Sequence, residues 1–278
     1  MTARFTTSDG LSLAYDETGA GHPLLCLAGL TRNMADFDPV VAEFADRARV
    51  IRLDVRGRGL SDHAPDWRSY SLPREAQDVL ELMDHLGLES ASILGTSRGG
   101  LLAMTLAVGH ADRLAGAILV DIGPVIERAG LEPIMEYIGR PPVWRSHAEA
   151  AAALPEAMAP RFAGVPEATW RAHAERLWSE GSDGLALRYD PRLRDAVLEG
   201  AQDGALPDLW PLFNALAGKP LALIRGANSD LLSAETAAEM RRRRPDIVFA
   251  EVPDRGHVPF LDEPESVAAI AAWLDRVA

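Results

Sequence analysis

Short apolar runs recur along the chain between glycine, proline and charged residues, and this pattern predicts buried strands. At the N-terminus, RFTT and LSLAYDET alternate on either side of the turn SDG, which predicts an antiparallel hairpin. Six further runs predict strands at 24–28, 49–55, 92–95, 115–121, 220–226 and 247–252. Helical patterns separate several of these strands. The alternation predicts an α/β fold in which helices cover both faces of a mostly parallel sheet.

Residues 123–213 interrupt this alternation. They are rich in alanine, proline and tryptophan, contain helical windows such as HAEAAAALPEAM and EATWRAHAERLW, and show no strand pattern. We therefore expect a helical cap at 123–213, inserted into a core made of residues 1–122 and 214–278.

Composition limits the partners of this chain. Its 278 residues suit one large domain with an insertion, and a content of 47% hydrophobic residues allows a sizeable core. The formal net charge of -13 argues against nucleic acid or an anionic membrane as a partner, because both attract basic surfaces. The run RRRR at 241–244 ends a helical pattern, so we interpret it as a solvated helix end.

The sequence lacks a disulfide pair, a targeting or membrane segment and the motifs of a metal or cofactor site. Cys26 is the single cysteine and lies in the apolar run LLCLAG, which predicts a buried thiol without a disulfide. The sequence has neither a signal-peptide pattern nor about 18 consecutive apolar residues, so a cytoplasmic protein is expected. Neither metal-ligand spacing nor a complete dinucleotide fingerprint occurs, and no metal or organic cofactor is expected.

The segment ILGTSRGGL contains the pattern G-x-S-x-G between a predicted strand and a predicted helix. Small residues two positions before and after Ser97 are needed there, since bulk would collide with the neighbouring strand and helix. The segment therefore predicts Ser97 as a nucleophile on a sharp turn.

A serine hydroxyl needs a base and a carboxylate that orients the base. His257 follows the last predicted strand, at the sheet edge that also carries the serine turn, and is the candidate base. Asp230, in the loop ANSDLLS, is the favoured carboxylate, and Asp121 at the end of AGAILVD is the alternative. An oxyanion would be bound by the backbone N–H groups of Arg98 and Leu30.

Four segments together resemble the α/β-hydrolase fold superfamily: GTSRGG, LDVRGRGLSD at 53–62, RGANSD ending at Asp230, and DRGHVPFLDEP with His257. The resemblance is to its capped group, which includes esterases, lactonases and carbon–carbon bond hydrolases. It implies an eight-stranded, mostly parallel sheet, a Ser-Asp-His triad, and an oxyanion hole from the Leu30 and Arg98 amides.

Two residues depart from the pattern of this family. Ala28 stands before Gly29, where many relatives carry histidine, and this removes a side chain that often supports the oxyanion loop. The residue after the nucleophile is the charged Arg98, whose guanidinium must be solvated or paired because an unpaired buried cation is costly. Asp121 is the expected partner of Arg98.

A serine at the nucleophile position indicates acyl chemistry, whereas aspartate would have indicated a dehalogenase or epoxide hydrolase. We therefore expect a hydrolase of small carboxylic esters or lactones with an apolar portion. The apolar pocket wall would come from the cap aromatics Trp144, Trp178, Tyr189 and Trp210. Carbon–carbon bond hydrolysis and a ligand sensor that retains the triad stay as alternatives, and the sequence leaves open a monomer or a homodimer.

Overall fold

The computed structural model describes residues 2–200 and 208–277. Over these residues the strands are β1 (Ala3–Thr6), β2 (Ser12–Thr18), β3 (Pro23–Leu27), β4 (Arg49–Leu53), β5 (Ala91–Thr96), β6 (Leu114–Val120), β7 (Trp178–Gly181), β8 (Gly184–Leu187), β9 (Leu221–Gly226) and β10 (Val248–Val252). The helices are α1 (Asp38–Phe44), α2 (Leu72–His85), α3 (Arg98–Gly109), α4 (Arg128–Tyr137), α5 (His147–Ala157), α6 (Glu167–Leu177), α7 (Leu193–Gly200), α8 (Trp210–Asn214), α9 (Ala234–Arg243) and α10 (Pro264–Leu274).

An eight-stranded sheet in the order β1-β2-β4-β3-β5-β6-β9-β10 organises the described part of the chain. β1 pairs with β2, and β2 with β4, in antiparallel fashion, while the other neighbours are parallel. The predicted N-terminal hairpin and the six further predicted strands are all present within a few residues of their expected positions. The predicted fold class is therefore confirmed.

Helices cover both faces of this sheet because the inner strands are apolar on both sides. Apolar residues of α2, α3 and α9 pack on one face, and those of α1 and α10 pack on the other. Trp273 of α10 is fully buried against its face. The carboxyl ends of β5, β6 and β10 meet at one edge of the sheet, and the candidate site lies there.

The segment between β6 and α8 holds helices α4 to α7, and its residues Leu154 and Trp170 belong to a small apolar cluster that also includes Phe260. It also contains a hairpin of β7 and β8, so the expectation of no strand in this segment is wrong. Each strand has only four residues, and their alternating pattern is too short to be read from the sequence. The boundaries of the cap stay a prediction, and residues 201–207 of it lie outside the described residues.

Two minor predictions can be compared with the structure. Cys26 is completely buried in β3, as expected. The arginine run at 241–244 ends α9, where Arg242 and Arg243 pair with Glu239.

Within the described ranges, no helix is both long enough and apolar enough to cross a membrane.

Candidate active site

Ser97 lies on the turn between β5 and α3, with a φ of 51° that non-glycine residues rarely adopt. The glycines around it are required by close packing. A Cβ at Gly95 would lie 2.3 Å from the carbonyl carbon of Gly99, and one at Gly99 would lie 1.9 Å from the carbonyl oxygen of Leu27. The turn is therefore built so that strand and helix approach closely while the serine projects from the bend.

A chain of hydrogen bonds joins Ser97 to His257 and Asp121. Nε2 of His257 lies 3.0 Å from Oγ of Ser97, and Nδ1 of His257 lies 2.7 Å from Oδ2 of Asp121. A carboxylate beside Nδ1 favours the tautomer that carries its proton there, which leaves the lone pair of Nε2 facing the serine hydroxyl. The arrangement can therefore take a proton from Ser97.

Asp121 reaches this position because it directly follows β6, the strand next to β5. Thr96 pairs with Val120 across these strands, and the backbone N–H of Ser97 donates to the carbonyl oxygen of Val120 at 2.9 Å. The fully buried carboxylate of Asp121 also accepts hydrogen bonds from the Gly226 N–H at 2.9 Å and the Ser229 hydroxyl at 2.6 Å. These donors keep the carboxylate in place beside His257.

The prediction that Asp230 orients His257 is wrong for this structure, and the alternative, Asp121, occupies that position. Asp230 instead forms an ion pair with Arg161, in the segment predicted as the cap. The reason lies in the loop after β9. This loop directs the Ser229 hydroxyl to Asp121, and Asp230, the next residue, faces Arg161.

The predicted pair of Arg98 with Asp121 is also wrong. Nε of Arg98 lies 2.6 Å from a carboxylate oxygen of Glu75, and its Nη2 donates to the carbonyl oxygen of Tyr70 at 3.2 Å. Glu75 lies in the first turn of α2, which packs beside α3. Arg98 does have a charged partner, but that partner comes from a helix rather than from the next strand.

The two predicted oxyanion donors belong to backbone segments that adjoin the serine. Arg98 is the first residue of α3, so its N–H belongs to the helix turn that has no intrahelical acceptor. Leu30 follows Gly29, and a Cβ at Gly29 would lie 3.6 Å from the Cβ of Ser97. The binding of an oxyanion by these two amides stays a prediction.

The four aromatics predicted to line a pocket have different surroundings. Trp144 and Trp178 contact each other at 5.4 Å between ring centroids, and their role in a pocket stays a prediction. Tyr189 is buried in the main core, where its hydroxyl accepts from the Gly139 N–H at 3.1 Å. The Trp210 ring lies under the Arg243 guanidinium, with 3.6 Å from Cζ to the ring centroid. A role of Tyr189 and Trp210 in a pocket wall stays a prediction.

Sequence reasoning missed a polar and aromatic group beside the site. Phe260, three residues after His257, packs against the rings of His173 at 5.3 Å and Trp170 at 5.6 Å. Nη2 of Arg32 lies 3.4 Å from Nδ1 of His173. Burial, together with the nearby Arg32, lowers the pKa of His173 well below its ordinary value. The sequence did place Arg32 close to Leu30, and Phe260 close to His257, and this short spacing could have indicated that both side chains lie near the site.

Metal ligation is not indicated by the described residues, which contain no group of three or more His, Cys, Asp or Glu side chains able to hold an ion. The groups that hydrogen bonds bring together at this edge of the sheet are a serine, a histidine and a carboxylate.

Known proteins resemble the chain over almost its entire length. The model of the alpha/beta hydrolase fold family matches residues 22–264. A 3-hydroxybutyrate-oligomer hydrolase from Cupriavidus necator is 36% identical over 267 residues, which cover 92% of this chain and 90% of that protein. A 2-(acetamidomethylene)succinate hydrolase from Mesorhizobium japonicum is 29% identical, with coverage of 95% and 92%.

Among solved structures, an alpha/beta hydrolase from Novosphingobium aromaticivorans is 41% identical and superimposes with a TM-score of 0.91, covering 99% of this chain and 98% of that one. The fold, the family model and the similar proteins thus point to the same family. The chain belongs to the alpha/beta hydrolase fold family, and it is a hydrolase.

Proposed function

We propose that the protein hydrolyses carboxylic esters, lactones included, through an acyl-enzyme on Ser97. The observation that carries this proposal is the hydrogen-bonded series from Asp121 through His257 to the Ser97 hydroxyl, with distances of 2.7 and 3.0 Å. A nucleophile, a base and an orienting carboxylate in this order are what acyl transfer requires.

In the proposed acylation step, Nε2 of His257 accepts the Ser97 proton while Oγ forms a bond to the acyl carbon. The carbonyl oxygen becomes an oxyanion that accepts hydrogen bonds from the Leu30 and Arg98 amides. When the tetrahedral intermediate collapses, the bond between the acyl carbon and the leaving oxygen breaks. The leaving oxygen then takes the proton from His257, which releases an alcohol or opens a lactone ring.

Deacylation repeats these events with water. His257 accepts a proton from the water as its oxygen bonds to the acyl carbon, and the bond to Ser97 Oγ breaks. The serine recovers its proton from His257, and a carboxylic acid leaves. Asp121 stabilises the imidazolium in both steps through its 2.7 Å contact with Nδ1.

Esters of short hydroxy acids are the proposed substrates within this class. The relative from Cupriavidus necator, at 36% identity, acts by its name on oligomers of 3-hydroxybutyrate. Such oligomers join their units through ester bonds, which the proposed chemistry cleaves. Their methyl-bearing chains also supply the apolar portion expected from the sequence.

The proposal is tested by measuring hydrolysis of p-nitrophenyl esters of increasing acyl length, and of linear 3-hydroxybutyrate dimers and trimers. Ser92→Ala is a matched control, because Ser92 lies on β5 with its hydroxyl 2.8 Å from Nε2 of His22. We expect Ser97→Ala to abolish hydrolysis and Ser92→Ala to retain it. A folded wild-type protein that is inactive on all these esters would refute the proposal, and so would full activity in Ser97→Ala.

A further inference from the structure

Glu75 is a fully buried carboxylate that joins two arginines beside the candidate site. One of its oxygens lies 2.7 Å from Nη1 of Arg58, and the other lies 2.6 Å from Nε of Arg98. Its side chain has no exposed surface, and that of Arg58 is only 2% exposed. A carboxylate with no surface exposed to solvent depends on these two partners.

Each of the two arginines is connected to one of the residues whose amides are the proposed oxyanion donors. Nε of Arg58 donates to the carbonyl oxygen of Leu30 at 2.9 Å, which ties the loop after β3 to Arg58. Arg98 is itself the other donor residue, and its side chain is held by Glu75 at the start of α3. Glu75 thus connects, through one side chain on each side, the two backbone segments that flank Ser97.

The charges of this group favour an oxyanion nearby. Two guanidinium groups share the single carboxylate of Glu75, and Nη2 of Arg58 is buried without a hydrogen-bond partner among the described residues. Burial acts to raise the pKa of Glu75, but Arg58 and Arg98 lower it below its ordinary value, so the carboxylate stays ionised. The three groups together carry one net positive charge next to the place where negative charge would develop.

We propose that Glu75 is a positioning residue that sets the separation and orientation of the Leu30 and Arg98 amides through Arg58 and Arg98. The proposal rests on the proposed function, because it assumes that these amides bind an oxyanion. Donors must lie within hydrogen-bond distance of the oxyanion rather than of the ground-state carbonyl. Loss of the bridge therefore weakens binding of the transition state and leaves binding of the substrate nearly unchanged.

Asp78 provides a matched control on the same helix. It is fully buried, and it also joins two arginines, with 2.7 Å contacts to Nη2 of Arg56 and Nη2 of Arg74. The side chains of these arginines pair with Asp9 at the surface rather than with the oxyanion segments, and Arg56 meets Arg58 through its backbone carbonyl. Substituting Asp78 thus removes the same kind of buried bridge but keeps the contact of Arg58 with the Leu30 carbonyl and that of Arg98 with Glu75.

The experiment compares Glu75→Gln with Asp78→Asn by two readouts. The first is the second-order rate at which a fluorophosphonate labels Ser97, a reaction that passes through an oxyanion-like transition state whatever the natural substrate. The second is the pair of kcat and KM with p-nitrophenyl butyrate, measured well below the midpoint of thermal unfolding of each variant. We expect Glu75→Gln to lower the labelling rate and kcat by roughly 10- to 100-fold with KM nearly unchanged.

Asp78→Asn is expected to lose stability but to label at nearly the wild-type rate. Equal rates for the two variants, or a rise in KM with unchanged kcat for Glu75→Gln, would overturn the proposal. If Glu75→Gln does not fold, Arg58→Lys replaces it, because lysine keeps the charge while a single nitrogen takes the place of the separate Nε and Nη1 donors to the Leu30 carbonyl and Glu75. Wild-type labelling in Arg58→Lys would equally overturn the proposal. Failure of the wild type to be labelled at Ser97 would refute the proposed nucleophile as well, which separates that failure from a failure of the bridge alone.

Discussion

Asp121 and His257 are 136 residues apart in the sequence, yet Oδ2 of the first lies 2.7 Å from Nδ1 of the second. The contact arises because Asp121 ends β6, and the loop with His257 follows β10 at the same edge of the sheet. The Ser229 hydroxyl and the Gly226 N–H hold the carboxylate from the side of β9. The proposed triad thus takes its carboxylate from the strand next to the one that carries the serine.

Asp121→Asn is expected to lower kcat by roughly 10³- to 10⁴-fold, because an amide beside Nδ1 favours the wrong imidazole tautomer and does not stabilise the imidazolium. The measurement is steady-state kinetics on a p-nitrophenyl ester. Asp230→Asn is the matched control, since it removes a carboxylate that pairs with Arg161 and not with His257. The assignment fails if Asp230→Asn causes the larger loss of kcat.

Gly99→Ala is expected to destabilise the protein by about 3 kcal/mol or more, because the added methyl group would meet the Leu27 carbonyl oxygen at 1.9 Å. Gly109→Ala, at the other end of α3, is the control, because its Cβ has no atom within 4 Å. It should stabilise by about 0.4–1 kcal/mol through the unfolded chain. Chemical denaturation measures both values, and a tolerated Gly99→Ala would contradict the close packing of β3 on the serine turn.

The stability of the protein is expected to decrease as pH falls below about 6.5, in part through His173. Burial first, then Arg32 and Arg176, lower the pKa of this side chain in the folded state. The unfolded chain therefore binds a proton that the folded chain does not, so stability is complete above the unfolded pKa and is lost on acidification. One such group contributes a slope of up to about 1.4 kcal/mol per pH unit.

His173→Gln should flatten this dependence, as measured by urea unfolding at a series of pH values between 5 and 8. The same substitution at His63, whose side chain is 55% exposed, is the control and should leave the slope as in the wild type. An unchanged slope in His173→Gln would show that its ring is accessible to protons in the folded protein.

The thiol of Cys26 is expected to be inert in the folded protein, because complete burial raises its pKa and excludes reagents. Ellman's reagent should therefore titrate no thiol under native conditions and one thiol in guanidinium chloride. Treatment of the native protein with iodoacetamide should leave ester hydrolysis unchanged. Rapid modification under native conditions would contradict the packing of β3.

The strands of the sheet could be predicted because most of them are short runs rich in apolar residues. The serine turn could be predicted because close packing leaves room only for glycine at Gly95 and Gly99. Ser97 and His257 lie close together as the sequence suggested. The hairpin of β7 and β8 could not be seen, since four-residue strands on an exposed surface carry too little pattern.

The carboxylate was harder to predict because both Asp121 and Asp230 follow strands that end at the same sheet edge. Which of them reaches His257 depends on the path of the loop after β9, in which Ser229 donates to Asp121 and Asp230 pairs with Arg161. The partner of Arg98 was missed for a related reason. Glu75 lies on a different helix, and the packing of α2 beside α3 cannot be deduced from sequence spacing.

The most direct test of the account is mass spectrometry of the protein quenched during turnover of p-nitrophenyl butyrate, with peptide mapping of the adduct. The account predicts one butyryl group, bound to Oγ of Ser97 in the peptide that contains GTSRGG and absent from Ser97→Ala. A butyryl group on a residue other than Ser97, or undiminished turnover in Ser97→Ala, would contradict it.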